Sequence, residues 1–149
     1  MTSRTTGGDG LSPQERAAVK DRATELRTQA KRAKAADKAA ADAADVAAKI
    51  AAMPDGDRDL AERLHRTVAE VAPDLAPKLY YGQPGWARGG KVVCFFRSGQ
   101  GDKLRYSTFG LSCEAALDDA SGLWPTSYAL TGEPTEEAWA RIAALVARA

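Results

Sequence analysis

The stretch that decides the fold runs Lys78-Leu-Tyr-Tyr-Gly-Gln-Pro-Gly-Trp-Ala-Arg-Gly-Gly-Lys-Val-Val-Cys-Phe-Phe-Arg97, then Ser98-Gly-Gln-Gly-Asp102, then Lys103-Leu-Arg-Tyr-Ser-Thr-Phe109. Most of the aromatic residues fall here, along with the only cluster of strand-type sequence. Leu79-Tyr80-Tyr81 reads as a short strand between Pro77 and Gly82. Gln83-Pro84-Gly85 reads as a turn, because proline fixes φ and glycine accepts φ > 0. Gly89-Gly90 is a two-residue hairpin signal ahead of the strongest strand, Lys91 to Arg97. Ser98 to Asp102 has hairpin-loop length, and Lys103 to Phe109 is the expected return strand.

Closing that hairpin with Arg97 opposite Lys103 places Phe96 beside Leu104, Cys94 beside Tyr106 and Val92 beside Thr108 on an apolar, helix-packed face. The other face then carries Phe95 opposite Arg105 and Val93 opposite Ser107, with Phe109 nearby. Aromatic rings and cations mix on this second face. With Tyr80, Gln83 and Trp86 it forms the candidate ligand cleft: Tyr80, Trp86 and Phe95 as walls, Gln83 and Arg105 as polar anchors. The plainer use of such aromatics is the core of a small sheet.

The flanks are helical. Ser12, Pro13 and Glu15 make a helix start, and Ala, Arg, Lys, Glu and Gln dominate to about Lys38. Val19 and Leu26 are the only large apolar residues in that segment, so it has little to bury. Residues 35–44 are nearly all Ala and Asp and read as a helical or frayed linker. Val46, Ile50 and Met53 form a helical face that Pro54 ends, and Leu60, Leu64, Val68 and Val71 form the next. Beyond the sheet, Ser112 to Asp119 suggests a helical turn or short helix, and Leu123 to Leu130 a strand that Pro125 demotes to an edge or a late start. Thr135-Glu136-Glu137 opens a last helix with Trp139, Ile142 and Leu145, together with Val146, as its apolar stripe. The expected organisation is a disordered tail at 1–11, a charged helix and linker at 12–44, and an α+β domain at 45–149 with a small antiparallel sheet against helices.

Composition narrows the function classes. Net charge is +1, so no global field points to nucleic acid, yet residues 1–44 carry 9 basic and 6 acidic groups and the rest 12 and 14. Arg27, Lys31, Arg32, Lys34 and Lys38 make a basic run; it reads either as a solvated face near a helix C-terminus or as an arm for nucleic-acid phosphates. No apolar run approaches the roughly 18 residues of a membrane span, and the polar first ten residues lead into no export signal, so a cytoplasmic protein is expected. Cys94 and Cys113 lack metal-type spacing, and Cys94 is expected buried and reduced. His65 is the only histidine and stands without a ligand partner. No catalytic set, metal centre or cofactor motif is expected; Gly99 and Gly101 belong to a loop with no helix behind it.

The segment Lys78 to Phe96, an aromatic-Gly-X-Pro turn followed by a glycine hairpin and paired aromatics, resembles the signature of the YdhG-like family, over about residues 45–149. The resemblance implies an α+β domain with an antiparallel sheet on helices, and it carries over no catalytic residue. Some members of that family are described as frataxin-like iron chaperones. An acidic helix surface would serve iron, and the candidates here are Asp55, Asp57, Asp59 and Glu62, interspersed with Arg58 and Arg63. The leading expectation is a binding domain for a small anionic or aromatic ligand, or a partner protein, on the open sheet face. Iron delivery and nucleic-acid association through the basic helix are the alternatives.

Overall fold

The computed structural model describes residues 10–149; the tail expected at 1–11 lies, up to residue 9, outside the described residues. Helix α1 spans Pro13–Ala51, so the Ala/Asp segment at 35–44 continues the helix. Ser12 Oγ caps its start by accepting from the Glu15 N–H at 3.0 Å. The chain divides after Lys38 into two units. In the first, every side chain from Pro13 to Lys38 is exposed.

The second unit, Ala39–Ala149, holds the core. It contains the end of α1, helix α2 (Asp55–Val71), strands β1 (Ala76–Pro77), β2 (Gly85–Arg88), β3 (Lys91–Arg97), β4 (Ser107–Leu111) and β5 (Ser127–Leu130), and helix α3 (Glu136–Arg148). The strands pair antiparallel in chain order, β1-β2-β3-β4-β5. This is an α+β fold with a five-stranded sheet. One sheet face gives Trp86, Val93, Cys94, Phe96, Phe109, Leu111 and Leu130 to the core. The helices answer with Val46, Ile50, Leu60, Leu64, Val68, Trp139, Ile142 and Val146. Burial of each large side chain stabilises the fold by about 1.5–3 kcal/mol. Arg63 ties α2 to α3: it donates two hydrogen bonds to Glu136, at 2.9 and 2.7 Å, and lies 4.8 Å over the Trp139 ring.

The sheet departs from the expected strand pattern in three places. Tyr80 and Gln83 exchange backbone hydrogen bonds of 2.7 and 2.9 Å, and Tyr81 and Gly82 have φ of 48° and 78°. Positive φ at both central residues is the mirror-image turn that suits hairpin twist. The turn therefore lies at Tyr81-Gly82, inside the segment expected as a strand, and Pro84-Gly85 leads into β2. At Gly89-Gly90, with φ of 59° and 82°, the second such turn falls where the sequence puts it.

The second departure is a bulge. Trp86 pairs with Cys94 but Ala87 pairs with Val92, leaving Val93 without a partner on β2. The extra residue turns Val93 into the core, and Val92 packs over Gly85 on the other face, where a β-carbon at Gly85 would stand 3.0 Å from Val92 Cγ1. Val92 and Val93 thus exchange the faces expected of them.

The third is the β3–β4 register. Arg97 opposes Thr108, Phe96 opposes Phe109, Phe95 opposes Gly110 and Cys94 opposes Leu111. Lys103 to Tyr106 is loop, so Leu104 and Tyr106 pair with nothing, and Phe109, expected on the outer face, is fully buried. The cause is the loop Ser98–Tyr106, which turns inward to reach α2. It contains a 3-10 turn at Gln100–Asp102 and a left-handed Lys103 with φ of 57°. Gly99 lies so close to the returning chain that a β-carbon there would be 2.0 Å from the Tyr106 carbonyl oxygen. Elsewhere, Ser112 to Asp119 forms turns rather than a helix, and β5 begins after Pro125.

Candidate functional site

On the outer face of β3, Phe95 stands between two glycines, Gly85 on β2 and Gly110 on β4. Neither neighbour has a side chain, so rings lie down on the bare backbone. The Phe95 ring covers Gly110, where a β-carbon would be 2.2 Å from its Cζ. Tyr80 covers Gly85, its Cβ 3.1 Å from the position a β-carbon would take there. The Tyr80 and Phe95 rings meet at a centroid distance of 5.0 Å, and Tyr81 stands edge-on to Tyr80 at 4.6 Å. Such pairs contribute about 0.5–1.5 kcal/mol beyond area burial. The result is a ladder, Tyr81–Tyr80–Phe95, whose outer member is 90% exposed.

The five expected site residues divide. Tyr80 and Phe95 are together. Gln83 lines a separate depression of ≈ 190 Å³ with Lys49, Met53, Ser98 and Asp102; its Oε1 is buried and accepts no hydrogen bond from any described residue. Trp86 is 1% exposed and belongs to the helix side, where its Nε1–H donates to His65 Nδ1 at 3.2 Å. It is core, because strand alternation puts it opposite Cys94 rather than Phe95. Arg105 is on the exposed loop, its guanidinium 5.3 Å over the Tyr106 ring, and not beside Phe95. Arg97, two residues along β3, does share the Phe95 face and is held by Asp102 at 2.7 Å. Tyr81 lies outside the expected set; its signal in the sequence is a Tyr-Gly pair that can take a two-residue turn.

The acidic residues at the start of α2 do not converge. Asp55 pairs with Arg58 at 2.5 Å, whereas Asp57 is 4% exposed and turned inward. Its carboxylate accepts from Ser98 Oγ at 2.5 Å, from the Gln100 N–H at 3.0 Å and from Gln100 Nε2 at 2.9 Å. Burial alone would raise its pKa; the hydrogen bonds from Ser98, Gln100 and Ser107 outweigh that and lower it below the ordinary value. Among the described residues, no group of three or more His, Cys, Asp or Glu side chains could hold a metal ion. No helix among them is long and apolar enough to cross a membrane.

Both cysteines are free, Cys94 buried and Cys113 exposed. Burial pushes the Cys94 thiol up to about 12, against the smaller opposing pull of Arg88. The thiolate is the reactive form. Native protein treated with a thiol reagent at neutral pH is therefore expected to label at Cys113 promptly and at Cys94 only on unfolding. Equal rates at the two positions would refute this.

Comparison with known protein families, with curated proteins and with solved structures finds no match for this chain.

Proposed function

We propose that residues 45–149 are a YdhG-like binding domain that takes a planar aromatic or apolar group, from a small ligand or a partner protein, on the Tyr81–Tyr80–Phe95 ladder. One observation carries the reading. Tyr81, a bulky non-glycine residue, is held at φ 48° while its ring is 90% exposed. A left-handed conformation costs a residue with a β-carbon about 1–2 kcal/mol, and an exposed ring returns little of that by burial. Strain of this kind concentrates where a side chain must be presented to something else. Arg105 lies away from the ladder and Arg97 is already paired, so the reading rests on stacking rather than on recognition of an anion.

The test separates presentation from folding. Glycine accepts φ > 0, so Tyr81→Gly relieves the turn, while added chain entropy costs about 0.5–1 kcal/mol. The expected thermal stability stays within about 1 kcal/mol of the parent. Saturation-transfer NMR with a panel of planar aromatic fragments should show transfer from the parent protein and a loss of it in Tyr81→Gly. Fragments that bind the variant as they bind the parent, or no transfer from the parent at all, would overturn the proposal.

A further inference from the structure

The first unit contains a feature that the sheet does not use. At 3.6 residues per turn, Arg16, Lys20, Arg27, Lys31 and Lys34 fall within about 60° of arc on α1, and Lys38 continues the line. All are exposed. From Arg16 to Lys34 the stripe runs about 27 Å at 1.5 Å per residue. Glu15, Asp21 and Glu25 lie round the opposite side, where Glu25 pairs with Arg22 at 3.1 Å. Asp37 flanks the stripe near its end, but no acidic residue between Arg16 and Lys34 falls on it, so the near-neutral total charge of the chain conceals a line of cations.

We propose that residues 16–38 of α1 are a sequence-independent binding surface for the phosphate backbone of duplex DNA. The occupant follows from the chemistry of the face. A line of cations complements a line of phosphates, and binding by counterion release needs no base contact. An anionic membrane surface would require an apolar face to insert, and this segment offers only Val19 and Leu26 as large apolar residues. Single strands are held by aromatic stacking, and residues 13–38 contain no Phe, Tyr, Trp or His. A helix about 10–12 Å across fits the major groove of B-form DNA, about 12 Å wide, and not the deep, narrow one of A-form RNA. Long Lys and Arg side chains then spread from the stripe to the phosphates on either wall.

The experiment uses the full chain and a random-sequence 30-base-pair DNA duplex, with anisotropy read from 50 to 300 mM salt. About five phosphate contacts give an expected slope of log affinity on log salt near −4 to −5. Two double variants remove the same net charge from different faces: Arg27→Gln with Lys31→Gln on the stripe, Arg22→Gln with Arg32→Gln off it. The stripe double should lose at least tenfold in affinity and flatten the slope by about 2. The off-stripe double should stay within about twofold of the parent; far-UV circular dichroism checks that both remain helical. Equal losses in the two doubles, no binding by the parent at 50 mM salt, tighter binding to duplex RNA, or binding to phosphatidylserine vesicles in place of DNA would each overturn the proposal.

Discussion

Trp86→Ala is expected to destabilise the second unit by about 3–5 kcal/mol, the range for truncating a buried aromatic ring. The ring is 1% exposed, and its loss opens a cavity between β2 and the α2 face at His65. Marginal stability in domains is about 5–15 kcal/mol, so this change alone takes a large share of it. Trp86→Phe separates volume from polarity. It keeps most of the ring but removes the Nε1–H donor to His65 Nδ1, a loss of about 1 kcal/mol for one net hydrogen bond. Denaturant titration reads both. A loss below about 1 kcal/mol for the alanine variant would mean that the ring is not core, and would return Trp86 to the list of ligand residues.

Asp57→Ala is expected to cost about 3 kcal/mol, because it strands the Ser98 hydroxyl, the Gln100 N–H and the Gln100 amide at once, each bonded to a carboxylate. The effect has a pH signature. The folded pKa of Asp57 is lowered from an ordinary value of 3.8, so the unfolded state binds the proton more readily. Its stabilisation is present above pH 4 and is lost as pH falls through the depressed folded value. Parent and Asp57→Asn should therefore differ most at neutral pH and converge in acid. A gap that does not change between pH 7 and pH 3 would show that Asp57 acts by packing rather than by charge.

That same carboxylate explains why the sequence could not yield the β3–β4 register. The alternation of Cys94 and Phe96 reads correctly as the inward face of β3, since it depends only on local pleat. The partner strand is set by how much chain the loop consumes, and Ser98–Tyr106 is drawn inward by a residue 41 positions upstream of Ser98. Short-range turn rules do not see such a contact. The stripes of α2 and α3 are legible because helical burial repeats at 3.6 residues, and Gly89-Gly90 because two glycines in a row accept the positive φ that the turn needs at both positions. Val92 and Val93 are chemically alike, so nothing in their identity reveals which one bulges. In the ladder, residue type alone points to Tyr80 and Phe95, whose rings meet on the outer face. The register carries Arg105 off that face, and Tyr81 is not legible as a turn residue because tyrosine has no preference for a left-handed conformation.

The sequential order of the sheet also bears on how the second unit is built in time. Each strand pairs with its neighbour in the chain, so four hairpins can close in succession without a crossover. Rates rise as contacts become more local, and the two-residue turns at Tyr81-Gly82 and Gly89-Gly90 require the least loop closure. Joining α2 to α3 is different in kind: Arg63 meets Glu136 across 73 residues of chain. The hairpins on either side of β2 are thus expected to zip early and the helix pair to dock late, so that weakening the Arg63–Glu136 contact should hasten unfolding far more than it slows refolding.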